Sequence, residues 1–196
     1  GQSCVAGSRL LVQDSLHDEF IDRVLAIARR ARLGHPRDPK AHIGPVANRP
    51  QFEKTLSYIE GATSEGARCL LGGGPARNSE LGNGWYVKPT VFDDVARDMR
   101  IAREEVFGPV LSVQRFRDLD DAITIANDSD YGLAAGVWTG DLRRAFVCSE
   151  RIEAGTVYIN NYRGVSYTSP CGGYKASGIG RENGIEAMKD YLQVKS

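Results

Sequence analysis

The chain has 196 residues, 25 Lys and Arg against 25 Asp and Glu, and 41% hydrophobic residues. A formal charge of zero gives no electrostatic footprint for nucleic acid or an anionic membrane. No apolar run approaches the roughly 20 residues of a spanning helix, and no basic-then-apolar leader opens the chain, so a soluble, cytoplasmic protein with one sizeable core is expected.

The four cysteines, Cys4, Cys69, Cys148 and Cys171, are scattered, with no C-x-x-C pair and no clustered histidines. This argues against a metal site and a disulfide framework, and for a reducing compartment. Asn127-Asp128-Ser129 matches a glycosylation acceptor, and without a leader it reads as chance. The opening Gly-Gln-Ser-Cys, with no initiator Met, reads as part of something longer.

Along the chain, Arg9 to Gln13 is a short apolar strand, followed at Ser15-Leu16-His17-Asp18 by a pattern close to a capping box. Phe20, Val24, Ile27, Ala28 and Ala31 then recur at helical steps until Gly34 and Pro36, predicting an amphipathic helix with that stripe buried. Gln51 to Glu65 is a second such helix, with Phe52, Leu56, Ile59 and Ala62 on one stripe and Gly66 at its C-terminal cap. A strand over 67–71, a Gly-rich loop over 72–84 and a strand over 85–92 that includes Pro89 follow. The remaining pattern predicts a short helix over 99–105, strand 110–116, helix 118–127, strand 133–139, helix 141–151 and strand 156–160. Alternation of this kind implies an α/β fold with a largely parallel sheet. No repeat or linker interrupts it, so one domain is expected.

Gly178-Ile-Gly180-Arg-Glu-Asn-Gly184 resembles a dinucleotide-binding turn, yet its third Gly falls one place late and a Gly- and Pro-containing loop precedes it instead of a buried strand. The simpler reading is a loop that caps a helix from Glu182 to Lys189. Cys4 is the residue whose neighbours suggest chemistry. Gly1, Gln2, Ser3, Ala6 and Gly7 leave room for a substrate and for backbone N–H groups that can stabilise a thiolate and an oxyanion. By itself, a cysteine is more often a small buried hydrophobe.

Several segments, in order, resemble signatures of the aldehyde dehydrogenase superfamily. Gly1-Gln2-Ser3-Cys4 resembles its nucleophile motif, and Glu104-Glu105-Val106-Phe107-Gly108-Pro109-Val110 its E-E-[IV]-F-G-P-V segment. Pro170-Cys171-Gly172-Gly173-Tyr174-Lys175 with Ser177-Gly178-Ile179-Gly180-Arg181-Glu182 resembles its closing P-F-G-G-x-K-x-S-G-x-G-R-E. Tyr131 to Ala135 and Gly155 to Asn160 also resemble family segments, so the likeness runs the length of the chain.

The resemblance implies a three-layer α/β/α sandwich with a largely parallel sheet. Residues 1–190 would form the catalytic domain and 191–196 the start of a C-terminal strand that joins subunits of a homo-oligomer. The N-terminal dinucleotide-binding domain would lie outside this chain. It also implies oxidation of a small-molecule aldehyde to a carboxylic acid with NAD or NADP, the cofactor being bound mostly by that other domain. Cys4 would be the catalytic nucleophile, passing through a thiohemiacetal and a thioester. Glu105 would bond the nicotinamide ribose hydroxyls and Phe107 would pack near the nicotinamide; without the resemblance they read as a surface acid and a core aromatic.

Gln51 and Lys54 would reach toward the cofactor ribose, their alternative being a solvated helix face. Asn160, Val165 and Cys171 would line the substrate pocket. Cys171 stands where the closing motif has Phe, and Val165 where many relatives carry an aromatic, so the pocket mouth is widened and no particular aldehyde follows. Arg163 suits either a distal substrate carboxylate or solvent.

The resemblance also places the general base and the second oxyanion donor upstream, so the 196-residue chain alone is expected to be inactive. Two other function classes remain: a non-catalytic binding or structural module that keeps the fold, and a thiol hydrolase pairing Cys4 with His17, His35 or His42.

Overall fold

The computed structural model describes residues 1–78, 81–164 and 166–195. They form two compact units, Gly1–Asp118 and Leu119–Ser196.

The first unit contains β1 (Arg9–Gln13), α1 (His17–Ala28), α2 (Arg49–Ser64), β2 (Arg68–Leu71), β3 (Thr90–Asp93), α3 (Arg100–Arg103) and β4 (Val110–Phe116). Its sheet runs β1-β4-β3-β2. β4 is parallel to both neighbours, with Leu10 beside Val113 and Val91 beside Leu111, while β2 is antiparallel to β3 with an irregularity between Cys69 and Leu71. Because side chains alternate across a strand, the buried residues divide into two cores. Val12, Val91 and Val113 meet Ile21 and Leu25 of α1 on one face. Phe92 and Val110 meet Phe52, Ile59 and Ala62 of α2 and Ile101 of α3 on the other. The unit is therefore an α/β/α sandwich with a mostly parallel sheet, as the resemblance implied.

Two details of α1 correct the sequence reading. The capping box does not form: a 3-10 turn over Asp14–Leu16 leads into the helix, and no side chain caps it. The buried stripe is His17, Ile21 and Leu25, while Phe20 and Ile27 are 43% and 70% exposed. Apolar residues cover a broad arc of this helix, and the edge that faces the sheet is the one carrying His17. Its ring, 1% exposed, bonds Asp93 through Nε2 at 2.9 Å and Asp18 through Nδ1 at 2.8 Å. Asp93 sits in the sheet, so this pair sets the helix's rotation.

α2 begins at Asn48, whose side chain accepts from the Gln51 N–H at 2.9 Å, and ends before Gly66 at φ 101°, which is accessible to glycine without strain. The strand expected over 85–92 is shorter. β3 starts only at Thr90, because Pro89 has no N–H for a ladder; before it, Val87 makes an isolated bridge to Pro75.

The second unit holds α4 (Leu119–Asn127), β5 (Tyr131–Gly132), β6 (Ala134–Val137), α5 (Leu142–Arg151), β7 (Thr156–Ile159) and β8 (Tyr174–Lys175). β6 and β7 are parallel, and β5 and β8 antiparallel. The strand expected over 133–139 is the shorter β6, paired with β7, and the two-residue β5 before it, which pairs with β8, was not expected. The helix expected from Glu182 is a 3-10 segment, Ile185–Tyr191, and Glu182 instead bridges to Cys171. Residues 192–195 pair with no strand among the described residues. No described helix is long and apolar enough to cross a membrane.

Candidate active site

One face of α2 lies along the loop from Glu104 to Gly108. Gln51, Thr55 and Tyr58 occupy i, i+4 and i+7, positions that share a helix face. Gln51 donates through Nε2 to the carbonyls of Val106 at 2.9 Å and Phe107 at 3.0 Å. Thr55 lies against Gly108, where an added Cβ would meet its side chain at 2.7 Å. Tyr58 donates its hydroxyl to Glu104 Oε2 at 2.6 Å. The loop they hold bends sharply, with Phe107 at φ 53°, a conformation rare for an aromatic residue.

The two adjacent carboxylates have different fates. Glu104 accepts from Tyr58 and from Arg100 Nε at 3.0 Å, and these bonds, the Tyr58 one first, lower its pKa from the ordinary value. Burial, then the bond to Glu104, raises the Tyr58 pKa. Arg100 also stacks on the Tyr58 ring at 4.1 Å. Glu105 is exposed and makes no hydrogen bond or ion pair among the described residues, so its oxygens remain open acceptors. Phe107 is half-buried. Lys54 lies 5.7 Å from the Tyr58 ring centroid and its charge also lowers the Glu104 pKa, which places it at the same end of this face.

Cys4 stands in a turn closed by the Ala6 N–H donating to Ser3 O at 2.8 Å. Its thiol is free and exposed, and it has no partner among the described residues. Gln2 accepts from the Ala47 N–H at 3.2 Å, and Gly1 packs directly on the Gly108–Pro109 backbone. The Cys4 turn and the Glu105–Phe107 loop are therefore anchored to one another through Gly1. None of the three histidines is bonded to Cys4. His17 is held by Asp18 and Asp93, while His35 and His42 accept the backbone N–H groups of Arg37 and Arg32. The thiol-hydrolase reading loses its base.

In the second unit, Asn160 does not present a free amide. It accepts from the Thr139 N–H and donates to the Thr139 carbonyl, both at 2.9 Å, with its own backbone at φ 51°. Cys171 exchanges two 2.7 Å backbone bonds with Glu182 and its thiol is free. Gly155 packs on Gly172 so closely that an added Cβ would fall 1.6 Å from the Gly172 oxygen, joining two of the family-like segments backbone to backbone. Lys175 of the closing motif is structural: it pairs with Glu153 at 2.6 Å and donates to the carbonyls of Asn127 and Ser129. Val165 lies outside the described residues.

Sequence reasoning missed Thr55, Tyr58 and Glu104. Their helical spacing from Gln51 was a usable signal, but the partner loop lies some fifty residues away and nothing local announces it. Among the described residues no group of His, Cys, Asp and Glu is arranged to hold a metal, and the four cysteines are all free.

A free cysteine in a Gly-Gln-Ser-Cys turn, tied to a loop with one bonded and one open glutamate, accords with what comparison shows. Residues 1–196 match the aldehyde dehydrogenase family, and the chain belongs to it. It is 46% identical over 196 residues to a betaine aldehyde dehydrogenase of Brucella anthropi and, at the same identity, to one of Brucella melitensis biotype 2. It covers 40% of the length of each, all of its own residues being matched. Among solved structures it resembles betaine aldehyde dehydrogenase from Staphylococcus aureus in complex with NAD+, at TM-score 0.96 and 40% identity over 99% of this chain and 40% of that one. HpcC from Thermus thermophilus superposes at TM-score 0.97 with 42% identity, over 100% of this chain and 38% of that one.

Proposed function

We propose that this chain supplies the nucleophile and the nicotinamide-side contacts of a NAD(P)-dependent aldehyde dehydrogenase that converts an aldehyde to a carboxylic acid. The observation that carries the reading is Cys4 itself: an exposed thiol, unpartnered among the described residues and anchored through Gly1 to the loop that bears the open Glu105.

In this reading the Cys4 thiolate adds to the aldehyde carbon, forming a C–S bond and a thiohemiacetal oxyanion that the Cys4 N–H stabilises. NAD(P)+ supplies, when bound, the acceptor for the hydride that leaves this carbon. Water then adds to the Cys4 thioester, the C–S bond breaks, and carboxylic acid and free thiol are released. Glu105 fits a ribose because its carboxylate is open to accept from two hydroxyls, and Phe107 offers a half-buried ring beside it.

This chain spans about 40% of its curated relatives, and the 196-residue piece alone is expected not to turn over. The substrate is a small aldehyde, and a homo-oligomer is the expected assembly. Asn160 acts in this reading by holding the Thr139 loop, and Cys171 by leaving the pocket mouth open.

The test uses the longer reading frame that contains this segment. With an aliphatic or aromatic aldehyde and NAD+ or NADP+, reduced cofactor should form and should be abolished by Cys4→Ala. Undiminished turnover in that variant, or none in the unmodified protein, overturns the reading. Adding the 196-residue chain to the remaining half and finding no restored activity would favour the non-catalytic module only if the intact protein were also inactive.

A further inference from the structure

We infer that Tyr58 is a positioning residue for cofactor binding: by tying down Glu104 it sets the direction in which the neighbouring Glu105 meets the ribose, an inference that rests on the aldehyde-oxidising reading above.

The backbone of Glu104 is extended, at φ −106° and ψ 158°. Successive side chains of an extended segment leave on opposite sides. Glu104 is drawn onto the face of α2, so Glu105 is turned away from that face, where it is exposed with open oxygens. Which of the two carboxylates is open therefore depends on what holds the other.

The holding group is a buried one. The Tyr58 ring is 4% exposed and belongs to the core that α2 forms with the sheet, so its hydroxyl cannot follow Glu104 if the loop shifts. The 2.6 Å bond between them goes to an ionised acceptor, the stronger kind of hydrogen bond. Arg100 Nε bonds the same Glu104 oxygen at 3.0 Å, but its side chain is 46% exposed, and exposed ion pairs contribute little. Its guanidinium also stacks on the Tyr58 ring at 4.1 Å and so leans on the same anchor. The Glu104 pKa follows this order, lowered first by the Tyr58 bond and then by Arg100. On the other side of Glu105, the Val106 carbonyl accepts from Gln51 Nε2 at 2.9 Å. Tyr58 and Gln51 lie on one face of one helix, and the short segment that bears Glu105 is strung between them.

Tyr58→Phe removes one oxygen and keeps the ring. In the longer reading frame that contains this segment, calorimetry reads the dissociation constant for NAD+ or NADP+, whichever the unmodified protein binds more tightly. Tyr58→Phe should raise it about fivefold, the cost of ordering a released side chain on binding. In a Glu105→Ala background the same substitution should change it by less than about twofold, because a residue that acts through Glu105 has nothing to position once Glu105 is gone.

An unchanged affinity in Tyr58→Phe would overturn the inference. So would an equal loss in both backgrounds, which is the behaviour of a hydroxyl that supports the fold without acting through Glu105. Melting curves check that the variant folds. Should it not, Glu104→Ala cuts the same tie from its exposed end and is expected to give the same loss with the same dependence on Glu105. An unmodified protein that binds neither NAD+ nor NADP+ would overturn the aldehyde-oxidising reading and this inference with it, a result distinct from unchanged binding in Tyr58→Phe alone.

Discussion

The backbones of Gly1 and Gly108 lie against each other: a Cβ at Gly1 would fall 1.9 Å from the Gly108 carbonyl oxygen and 2.9 Å from Pro109 N. Backbone cannot swing aside as a side-chain tip can, so Gly1→Ala should displace either the Cys4 turn or the loop bearing Glu105 and Phe107. The expected loss is about 1–3 kcal/mol, the usual range for overpacking. Urea unfolding of Gly1→Ala beside the unmodified protein checks this, and an unchanged midpoint would show that the contact is not held in solution.

The His17–Asp93 pair is buried on both sides, each residue 1% exposed, and Arg68 also reaches Asp93 at 2.6 Å. His17→Ala leaves a buried carboxylate with one partner in place of two. Breaking such pairs typically costs about 3–5 kcal/mol, and the retained Arg68 puts the expected loss near the lower end, about 3 kcal/mol. Denaturant melts of His17→Ala and Arg68→Ala give the order: a larger loss for the arginine would reverse this assignment.

Glu104 has its pKa lowered by Tyr58 and Arg100 from an ordinary 4.5. A depressed carboxylate stabilises the fold above its unfolded value, and that contribution disappears as pH falls through the folded value. Unmodified protein should therefore exceed Glu104→Gln in unfolding midpoint at neutral pH, and the gap should close as the solution is taken below about 4.5. Tyr58 runs the other way: its pKa is raised from 10.0, so its share is present below that pH and is lost as pH rises through the higher folded value. A gap for Glu104→Gln that is independent of pH would mean that the cluster does not govern the loop.

Thiol accessibility orders the four cysteines. Cys4 and Cys69 are exposed, Cys171 is half-buried, and Cys148 is buried with its pKa raised by that burial. Iodoacetamide at neutral pH should modify Cys4 and Cys69 first and Cys148 last, since the thiolate is the reacting form. Peptide mass spectrometry over a time course reads the sequence of events, and early labelling of Cys148 would contradict the placement of α5.

Asn160 uses its oxygen and its nitrogen on the backbone of Thr139. Asn160→Leu strips both and should cost about 1–3 kcal/mol, whereas Asn160→Asp keeps the acceptor and should cost less. Equal losses for the two variants, measured by urea unfolding, would assign the effect to something other than this bracket.

The strand at Arg9–Gln13 and the buried stripe of α2 were legible because β-rich runs and helical periodicity are local signals, and Phe52, Ile59 and Ala62 carry them without ambiguity. α1 was misread because its apolar residues span a wide arc, and pattern alone does not say which edge meets the sheet. Pro89 was noticed but underweighted: it removes the donor that a longer β3 needs. Cys4 and Glu105 came through the family-like motifs, and both are unpartnered among the described residues. Gln51 was placed on the right helix face, but its bonds to the Val106 and Phe107 carbonyls were not legible in the sequence.

The main strands and helices, the family, the turn around Cys4 and the paired glutamates were determined by the sequence, because each depends on residues adjacent in the chain. Which glutamate is free, what the Gln51 amide bonds and what occupies Asn160 were decided only by the tertiary structure. Those outcomes depend on segments far apart, Gln51 reaching 56 residues to Phe107 and Tyr58 reaching 46 to Glu104. Hydrogen bonds act over about 3 Å, so only the folded chain brings such partners into range.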